Sequence, residues 1–176
     1  MSVNRDYIEN AERLLNRAPA CNERVRGSGS TIIGPKLEEP RVRTTPDRIT
    51  HLKPGQIFVF GSNYGGRHSK GAALDARRSF GAVSGVSEGL MGQSYGIPTK
   101  PHDVRLRLSV AQIEVHVNNF IDYALLRPEL TFLVTEIGCG LAGYTPAEIA
   151  PLFRRAVDIT NVWLPARFWA VLKGVG

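Results

Sequence analysis

Residues 56–71 read QIFVFGSNYGGRHSKG, and this stretch decides the expected fold. Residues 56–60 are a short, continuous apolar run bounded by turn residues, which is typical of a central strand buried on both faces. A glycine-rich loop follows at residues 61–71. The alanine-rich residues 69–80 then have apolar side chains at helical spacing, with Gly81 as a C-terminal stop. The stretch therefore predicts a strand, a glycine loop and a helix in succession.

The same succession recurs in the second half of the chain. Residues 131–137 (TFLVTEI) predict a strand, and residues 138–144 (GCGLAGY) predict a second glycine loop. Thr145 then caps a helix whose first position is Pro146, and Glu148 completes a capping box. Two strand-loop-helix units are typical of an α/β protein.

Three further elements complete the expected architecture. Residues 93–98 predict a strand, and residues 161–164 predict a last strand before a short terminal helix. Between them, residues 109–126 predict the clearest helix, which a capping box of Ser109 and Gln112 opens. Strands separated by helices imply a parallel or mixed sheet with helices on both faces. We therefore expect a three-layer α/β/α sandwich with a mixed, largely parallel sheet.

The 176 residues suffice for one domain with an appendage, because domains cluster near ~100–150 residues. An amphipathic pattern at residues 7–15 predicts a short helix, and residues 19–46, rich in Arg, Gly, Ser and Pro, predict a linker. The expected organisation is an N-terminal helix and linker arm at residues 1–43 and a ligand-binding α/β domain at residues 44–176.

Composition limits the compartment and the class of partner. The chain has no run of ~18 apolar residues, and charges occupy the N-terminal region where a secretory signal has its apolar core, so we expect a cytoplasmic protein without membrane contact. Its formal charge of +6 favours an anionic partner, whether nucleic acid, an acidic surface or a phosphorylated small molecule. The two cysteines, Cys21 and Cys139, lie in different contexts and lack metal-ligand spacing, so no disulfide framework or zinc site is expected. We also expect no other metal ion and no cofactor.

Both glycine loops are expected at the edge of the sheet where ligands bind. In open α/β sheets, the loops at the carboxyl ends of the strands lead into helix N-termini, which carry a positive dipole and unpaired N–H groups. Glycine lets main-chain amides approach phosphate oxygens without an intervening side chain. The loops therefore predict a phosphate-bearing ligand. For the first loop, the alternative is an ordinary connection that needs glycine for tight turning.

Neither loop matches a standard nucleotide motif. The first lacks the Gly-Lys-Ser/Thr order of a P-loop, because Lys70 precedes Gly71. In the second, Gly138, Gly140 and Gly143 form G-x-G-x-x-G, but no acidic residue follows ~20 positions later at the end of another strand. A Rossmann-type NAD site is therefore disfavoured.

Several blocks of the sequence together resemble the macrodomain, an ADP-ribose-binding module. These blocks are IFVFGSN at residues 57–63, GQSYGIPTK at 92–100, FLVTEIGCGLAGY at 132–144 and TPAEIA at 145–150. More narrowly, the chain is similar to small bacterial and phage macrodomain-like proteins. The resemblance covers roughly residues 44–172, and its specific parts are the strand ending in asparagine and the second loop.

The resemblance implies roles for particular residues. Asn63 would bind the distal ribose of ADP-ribose, and Tyr144 would pack near that ribose. The two loops would hold the diphosphate, and Asp47 would read the adenine. The ligand-binding residues expected on this basis are Asp47, Gly61, Ser62, Asn63, Gly66, Gly71, Gly138, Cys139, Gly140, Leu141, Ala142, Gly143 and Tyr144.

Departures from the macrodomain pattern bear on catalysis. Gly-Ser-Asn stands at residues 61–63 in place of the usual Ala-Ala-Asn, and Arg-His-Ser-Lys at residues 67–70 replaces the customary glycine run. The acidic residue of hydrolytic members is missing from this loop, unless Asp75 reaches round. His68 is then the first candidate for a general acid or base, because its reference pKa lies near neutrality. A solvated or phosphate-contacting histidine is the alternative.

Two residues of the second unit have open roles. Cys139 lies between two glycines near a helix N-terminus, and it is either a nucleophile with a lowered pKa or a small buried residue. Glu136, near the end of its strand, either faces the ligand or is solvated.

The residues and the resemblance together predict binding of ADP-ribose or a related NAD-derived nucleotide, with hydrolysis of an ADP-ribosyl bond through His68 or Asp75 as a further option. The alternative is a nucleic-acid-binding or interaction protein that uses its basic surface. A third interpretation is a macrodomain-like scaffold without ligand affinity.

Overall fold

The computed structural model describes residues 43–174, which contain a six-stranded mixed sheet. The strands are β1 (Thr44–Thr45), β2 (Gln56–Asn63), β3 (Gly89–Met91), β4 (Ser94–Lys100), β5 (Thr131–Val134) and β6 (Val162–Pro165). Their order across the sheet is β1-β6-β5-β2-β4-β3, and each neighbouring pair is parallel except β3 with β4. The prediction of a mixed, largely parallel sheet is confirmed.

Within the same range, four α-helices and one 3₁₀ helix flank the sheet. They are α1 (Gly71–Ser79), α2 (Val110–Leu125), α3 (Pro146–Ile149), the 3₁₀ helix Ala150–Ala156 and α4 (Ala166–Leu172). None of the helices in residues 43–174 has the length and apolar character needed to cross a membrane.

Alternation along β2 sends its side chains into two separate cores. Phe58 and Phe60 pack against α1 on one face, because successive residues of a strand point to opposite faces. Ile57 and Val59 join the larger core on the other face, which also contains side chains of α2, the 3₁₀ helix and α4. The three-layer α/β/α sandwich is therefore confirmed.

The predicted helix-start signals are present in the structure. The Ser109 N–H donates to Gln112 Oε1 (2.9 Å) and the Gln112 N–H donates to Ser109 Oγ (3.3 Å), so the capping box of α2 is confirmed. At α3, the Glu148 carboxylate accepts hydrogen bonds from the Thr145 N–H (2.8 Å) and hydroxyl (2.9 Å), and Pro146 is the first helical residue. These bonds lower the pKa of Glu148, because they stabilise its charged form.

Strand β2 is longer than the sequence predicts. The apolar run ends at Phe60, but the following residues pair with β4 and the strand continues to Asn63. A register shift between Ser62 and Asn63 then disturbs the ladder at the carboxyl end of the strand. The glycine loop therefore begins at Tyr64, and the backbone of Asn63 is held by the sheet.

The two short edge strands, β1 and β3, were not predicted, because two or three residues are too few to show alternation. Just before β1, the Arg43 carbonyl accepts hydrogen bonds from the Leu164 N–H (3.0 Å) and the Trp169 indole N–H (2.9 Å). Arg43, the last residue of the predicted arm, is thus bound to the sheet. Residues 1–42, with the predicted helix, most of the predicted linker and Cys21, lie outside the described residues. The end of the predicted linker is wrong, because Thr44–Thr45 form β1.

Candidate functional site

The connections that follow β2 and β5 diverge at the carboxyl edge of the sheet. β2 and β5 are neighbours, but the chain leaves β2 towards α1 on one face and leaves β5 towards α3 on the other. Such a divergence leaves a crevice at the strand ends, where ligands of open α/β sheets bind. A cleft of about 420 Å³ lies there, between the two predicted glycine loops. The predicted ligand-binding residues that line this cleft are Gly61, Ser62, Asn63, Gly71, Gly138, Gly140, Leu141 and Ala142.

The walls of the cleft carry more positive than negative charge. Arg67, Lys70 and Lys100 line it, together with one carboxylate, that of Glu136. Lys100 is oriented by a hydrogen bond from its Nζ to the Val104 carbonyl (2.8 Å). Clustered cations at a concave site favour an anionic ligand, because low-dielectric walls concentrate their field.

Helix α1 begins at the cleft. Its cap residue, Lys70, makes no side-chain hydrogen bond to the first turn, and Gly71, Ala72 and Ala73 line the cleft. The first amides of a helix have no partner within the helix, and they carry the positive end of its dipole. These amides are therefore available to an anion, as the strand-loop-helix pattern predicts.

The second loop presents backbone to the cleft. Gly138 has a φ of 74°, a left-handed conformation that favours glycine. Gly140 faces open space, because a Cβ atom built on it meets no atom of the described residues within 4 Å. A phosphate group therefore has room to approach the main chain at Gly140.

A groove of about 790 Å³ adjoins the cleft on the α1 side of the sheet. On this face α1 packs over β2, and the groove is also lined by residues around β1, by the end of β5 and by Arg167 at the start of α4. The cleft and the groove share four lining residues, Gly71, Ala72, Thr135 and Glu136. The two cavities are therefore adjacent.

The groove is lined by both aromatic and charged residues. The rings of Phe58 and Phe80 lie there with centroids 4.8 Å apart. Asp47 and Asp75 also line the groove. The structure thus separates both aspartates from the cleft, where the first glycine loop and Asn63 lie.

The Asn63 amide closes the first loop on itself. Its Oδ1 accepts a hydrogen bond from the Arg67 N–H (3.0 Å), and its Nδ2 donates to the Arg67 carbonyl (2.8 Å). The side chain is buried but lines the cleft. Since an amide nitrogen has two hydrogens, one Nδ2 hydrogen remains for a ligand. Asn63 therefore shapes the loop and also faces the cleft.

Ser62 and Gly66 attach the first loop to residues 83–88. The Ser62 hydroxyl donates to the Ser87 carbonyl, and the Gly85 N–H donates to the Gly66 carbonyl (3.0 Å). Ser62 also lines the cleft, whereas Gly66 does not. The structure therefore gives Gly66 a packing role instead of the predicted contact with the ligand.

The end of the second loop turns away from the cleft. Tyr144 is buried in the larger core, and its hydroxyl donates to the Leu108 carbonyl. The Arg107 guanidinium lies 4.1 Å from the centroid of the Tyr144 ring, and it donates to the Gly143 carbonyl (3.2 Å). Neither Gly143 nor Tyr144 lines the cleft, because the aromatic ring fills the core beneath it.

His68, the first candidate for acid-base catalysis, is buried away from the cleft. It is 1% exposed, and its ring meets the Phe60 ring edge-on with centroids 5.1 Å apart. Neither ring nitrogen has a hydrogen-bond partner among residues 43–174. Burial, and to a lesser degree the Arg77 guanidinium, lower the pKa of His68 and keep the imidazole neutral. The structure does not bring His68 together with Asn63 or Asp75.

A buried, neutral His68 predicts an acid-sensitive fold. In the unfolded chain the imidazole titrates near its ordinary pKa of about 6.5, whereas its folded pKa is lower, so the unfolded state binds more protons below that pH. This contribution to stability is present above about pH 6.5 and is lost below it, by at most about 1.4 kcal/mol per pH unit. The free energy of unfolding of His68→Leu, measured by denaturant titration, should therefore fall less than that of the parent between about pH 7.5 and about pH 5.5.

The exposed His51 provides a matched control for this measurement. His51→Gln removes a histidine without changing the buried imidazole, so it controls for the general effect of losing one histidine. At neutral pH, His68→Leu should be at least as stable as the parent, because it removes two buried nitrogens without partners. If the free energy of unfolding of His68→Leu fell as steeply with decreasing pH as that of the parent, the result would contradict a neutral buried imidazole.

Cys139 is a partly buried residue of the larger core and lines neither cavity. Burial raises the pKa of its thiol to about 11, and the Glu136 carboxylate adds to this effect. A thiol with a raised pKa is a poor nucleophile, because the thiolate is the reactive form. Of the two roles considered for Cys139, the structure favours the small, partly buried residue over the nucleophile with a lowered pKa.

Sequence reasoning missed a hydrogen-bonded network of side chains behind the first loop. The Tyr64 hydroxyl bonds His116 Nε2 (3.1 Å), and His116 Nδ1 bonds one Glu88 oxygen (2.9 Å). Asn119 Nδ2 donates to the other oxygen of Glu88 (3.1 Å). This network joins the first loop to α2 and to the segment before β3. These residues lie far apart in the sequence, so no spacing pattern identifies them.

Comparison of the chain with models of protein families, with curated proteins and with solved structures finds no match. Function is therefore inferred from the cleft, the groove and the sequence resemblance.

Proposed function

We propose that this chain binds ADP-ribose or a closely related NAD-derived nucleotide across the cleft and the groove. The observation that carries the proposal is the junction of two cavities with different chemistry at the carboxyl edge of the sheet. The cleft has three cations and one carboxylate, whereas the groove has aromatic side chains and charges of both signs, with the carboxylates of Asp47, Asp75 and Glu136 beside Arg48 and Arg167. A nucleoside diphosphate sugar has a matching order of groups, because an anionic diphosphate is linked to a neutral nucleoside.

The diphosphate lies in the cleft in this proposal. Its oxygens accept hydrogen bonds from the first-turn amides of α1 and from the backbone of residues 138–142, because both main-chain arrangements favour phosphate. Arg67 and Lys70 are the nearby countercharges. The remaining Nδ2 hydrogen of Asn63 is then donated to the distal ribose, which is the role that the macrodomain resemblance implies.

The adenosine lies in the groove. Its base lies over the small exposed parts of Phe58 and Phe80, which are otherwise buried, and the Asp47 carboxylate accepts a hydrogen bond from the exocyclic amine. The cavity volumes of about 420 Å³ and about 790 Å³ lie in the range of small-molecule sites. Size and chemistry therefore both support a nucleotide of this kind.

Binding without hydrolysis is the function we propose. The two residues considered for catalysis are separated, since His68 is buried in the core beneath α1 and Asp75 lines the groove. A general base must come within hydrogen-bond reach of the proton that it removes. Neither residue lines the cleft, where the proposal places the distal ribose.

Calorimetric titration tests the proposal against nucleic-acid binding. ADP-ribose should bind with one-to-one stoichiometry, and its Kd should change by less than about threefold between about 50 mM and about 200 mM salt. Oligonucleotide binding through the basic surface would weaken by ~10³–10⁵-fold over the same range if 6–10 phosphates were contacted. The ligand and the salt dependence therefore separate the two functions.

Fragments of the ligand serve as controls. AMP and ribose 5-phosphate should each bind more weakly than ADP-ribose, because AMP lacks the second phosphate and the distal ribose, and ribose 5-phosphate lacks the nucleoside that lies in the groove. Steeply salt-dependent oligonucleotide binding without ADP-ribose binding would replace the proposal with a nucleic-acid function. Binding of neither ligand would leave a scaffold without ligand affinity.

A further inference from the structure

Glu136 lies where the cleft and the groove meet. Within residues 43–174, it is the only charged residue that lines both cavities, and its side chain is 34% exposed. The cationic residues Arg67, Lys70 and Lys100 line the cleft alone. A single carboxylate therefore stands at the boundary of a cleft that otherwise favours anions.

The backbone around Glu136 is held firmly in place. Thr135 donates to the Val59 carbonyl from its N–H (3.0 Å) and from its hydroxyl (2.8 Å). The Ile137 N–H donates to the Thr135 carbonyl (2.7 Å), and the Cys139 N–H donates to the Glu136 carbonyl (3.1 Å). These bonds fix the point from which the Glu136 side chain enters the junction.

The Glu136 side chain is also oriented. Arg167 Nη1 on α4 lies 2.9 Å from Glu136 Oε2. Arg167 lines the groove but not the cleft, so it approaches the carboxylate from the groove side. Since one carboxylate oxygen accepts more than one hydrogen bond, Oε1 and part of the capacity of Oε2 remain for a ligand.

The chemistry of a carboxylate limits what it can bind at this junction. An ionised carboxylate only accepts hydrogen bonds and repels phosphate, so the group between diphosphate and base must be an uncharged donor. In a nucleotide that spans both cavities, that group is the ribose of the nucleoside, which has a pair of hydroxyl groups.

We infer that Glu136, positioned by Arg167, accepts hydrogen bonds from the 2′- and 3′-hydroxyls of the nucleoside ribose and is the specificity-determining residue of the site. This inference rests on the proposed function and names its substrate class. The site selects nucleotides with an unmodified ribose diol. It rejects deoxyribose, which lacks a donor, and 2′-phosphorylated ribose, whose charge the carboxylate repels.

The test compares three ligands by calorimetry. They are ADP-ribose, its analogue with 2′-deoxyribose in the adenosine, and its analogue with a phosphate on the 2′-hydroxyl of the adenosine. The parent should bind ADP-ribose about 10-fold to 100-fold more tightly than the deoxy analogue, because a hydrogen bond to a charged acceptor is lost. It should prefer ADP-ribose over the 2′-phosphate by at least about 10-fold. In Glu136→Gln, the preference over the 2′-phosphate should fall below about threefold, because the repulsion is removed and Arg167 is released.

Matched variants separate this role from general effects of charge and packing. Glu114→Gln removes the same charge from the exposed surface of α2 and should keep the ligand preferences of the parent. Arg167→Gln should reduce the preference for the diol, and Arg167→Lys should restore part of it, because a cation again holds the carboxylate. Thermal unfolding checks that each variant is folded.

Each result decides between the inference and the proposed function. If the ratios of the dissociation constants of the three ligands in Glu136→Gln were within about twofold of those in the parent, the role of Glu136 would be overturned. ADP-ribose binding would be left intact. A parent that binds ADP-ribose without preferring it over either analogue would do the same. A parent that binds none of the three ligands would overturn the proposed function, and the inference with it.

Discussion

Gly66→Ala should destabilise the fold by about 3 kcal/mol, the largest stability effect that we expect from one methyl group. A Cβ atom at Gly66 would lie 2.4 Å from the Gly85 carbonyl carbon and 2.5 Å from the Val86 nitrogen, both of them backbone atoms. The φ of Gly66 is also +59°, which an L-residue adopts at a cost. The first loop and residues 85–86 must therefore move apart, or the loop must refold. Denaturant titration measures the loss.

Gly71→Ala is the matched control, because it isolates the backbone conformation from the clash. Gly71 has a nearly equal φ of +56°, but its nearest neighbour would be Leu141 Cδ1 at 4.0 Å. We expect a loss of only about 1 kcal/mol for this variant. Equal losses in the two variants would contradict the close packing of the first loop against residues 83–86.

Gly140→Val should weaken ADP-ribose binding by about 100-fold or more and leave thermal stability nearly unchanged. Gly140 lines the cleft, where the proposed phosphate approaches the main chain, and a branched side chain there would hold the phosphate away from the amides. The fold should accept valine, because a Cβ atom meets no described atom within 4 Å and Gly140 is outside the left-handed region. A 100-fold loss corresponds to about 2.8 kcal/mol of binding free energy.

Gly140→Ala provides a graded control for this prediction. A single methyl group should weaken binding less than valine does, because it fills less of the space that the phosphate needs. Calorimetry gives the affinities, and thermal unfolding shows whether each variant is folded. Affinity for ADP-ribose equal to that of the parent in Gly140→Val would show that the second loop is not the phosphate cradle, whatever else the protein binds.

Local patterns predicted the elements that place the site. The apolar runs that became β2 and β5, and the capping boxes at Ser109 and Thr145, depend on neighbours only a few residues away. The same patterns predicted that both glycine loops lie at carboxyl ends of strands, and the structure brings these loops to one cleft. Thr99 and Lys100, at the end of β4, also line the cleft. They had no predicted role, because the block at residues 92–100 resembled the family without a residue assignment.

Directions of side chains were predicted less well than positions of elements. His68 and Tyr144 stand in the two predicted loops, yet both rings are buried in the cores. Their directions depend on Phe60 and Leu108, which are contributed by other segments. Glu136, in contrast, reaches the junction because β5 ends at Val134 and the chain turns there.

The sequence by itself determined the α/β class, the order of the two strand-loop-helix units and the place of both loops, because periodicity, glycine turns and helix caps are set by neighbouring residues. Only the tertiary structure decided which loop residues face the cleft. Contacts such as those of Gly66 with Gly85 and of Glu136 with Arg167 join residues distant in the sequence. A side chain of a loop points where such contacts allow it, so its direction follows from the folded core and not from its own motif.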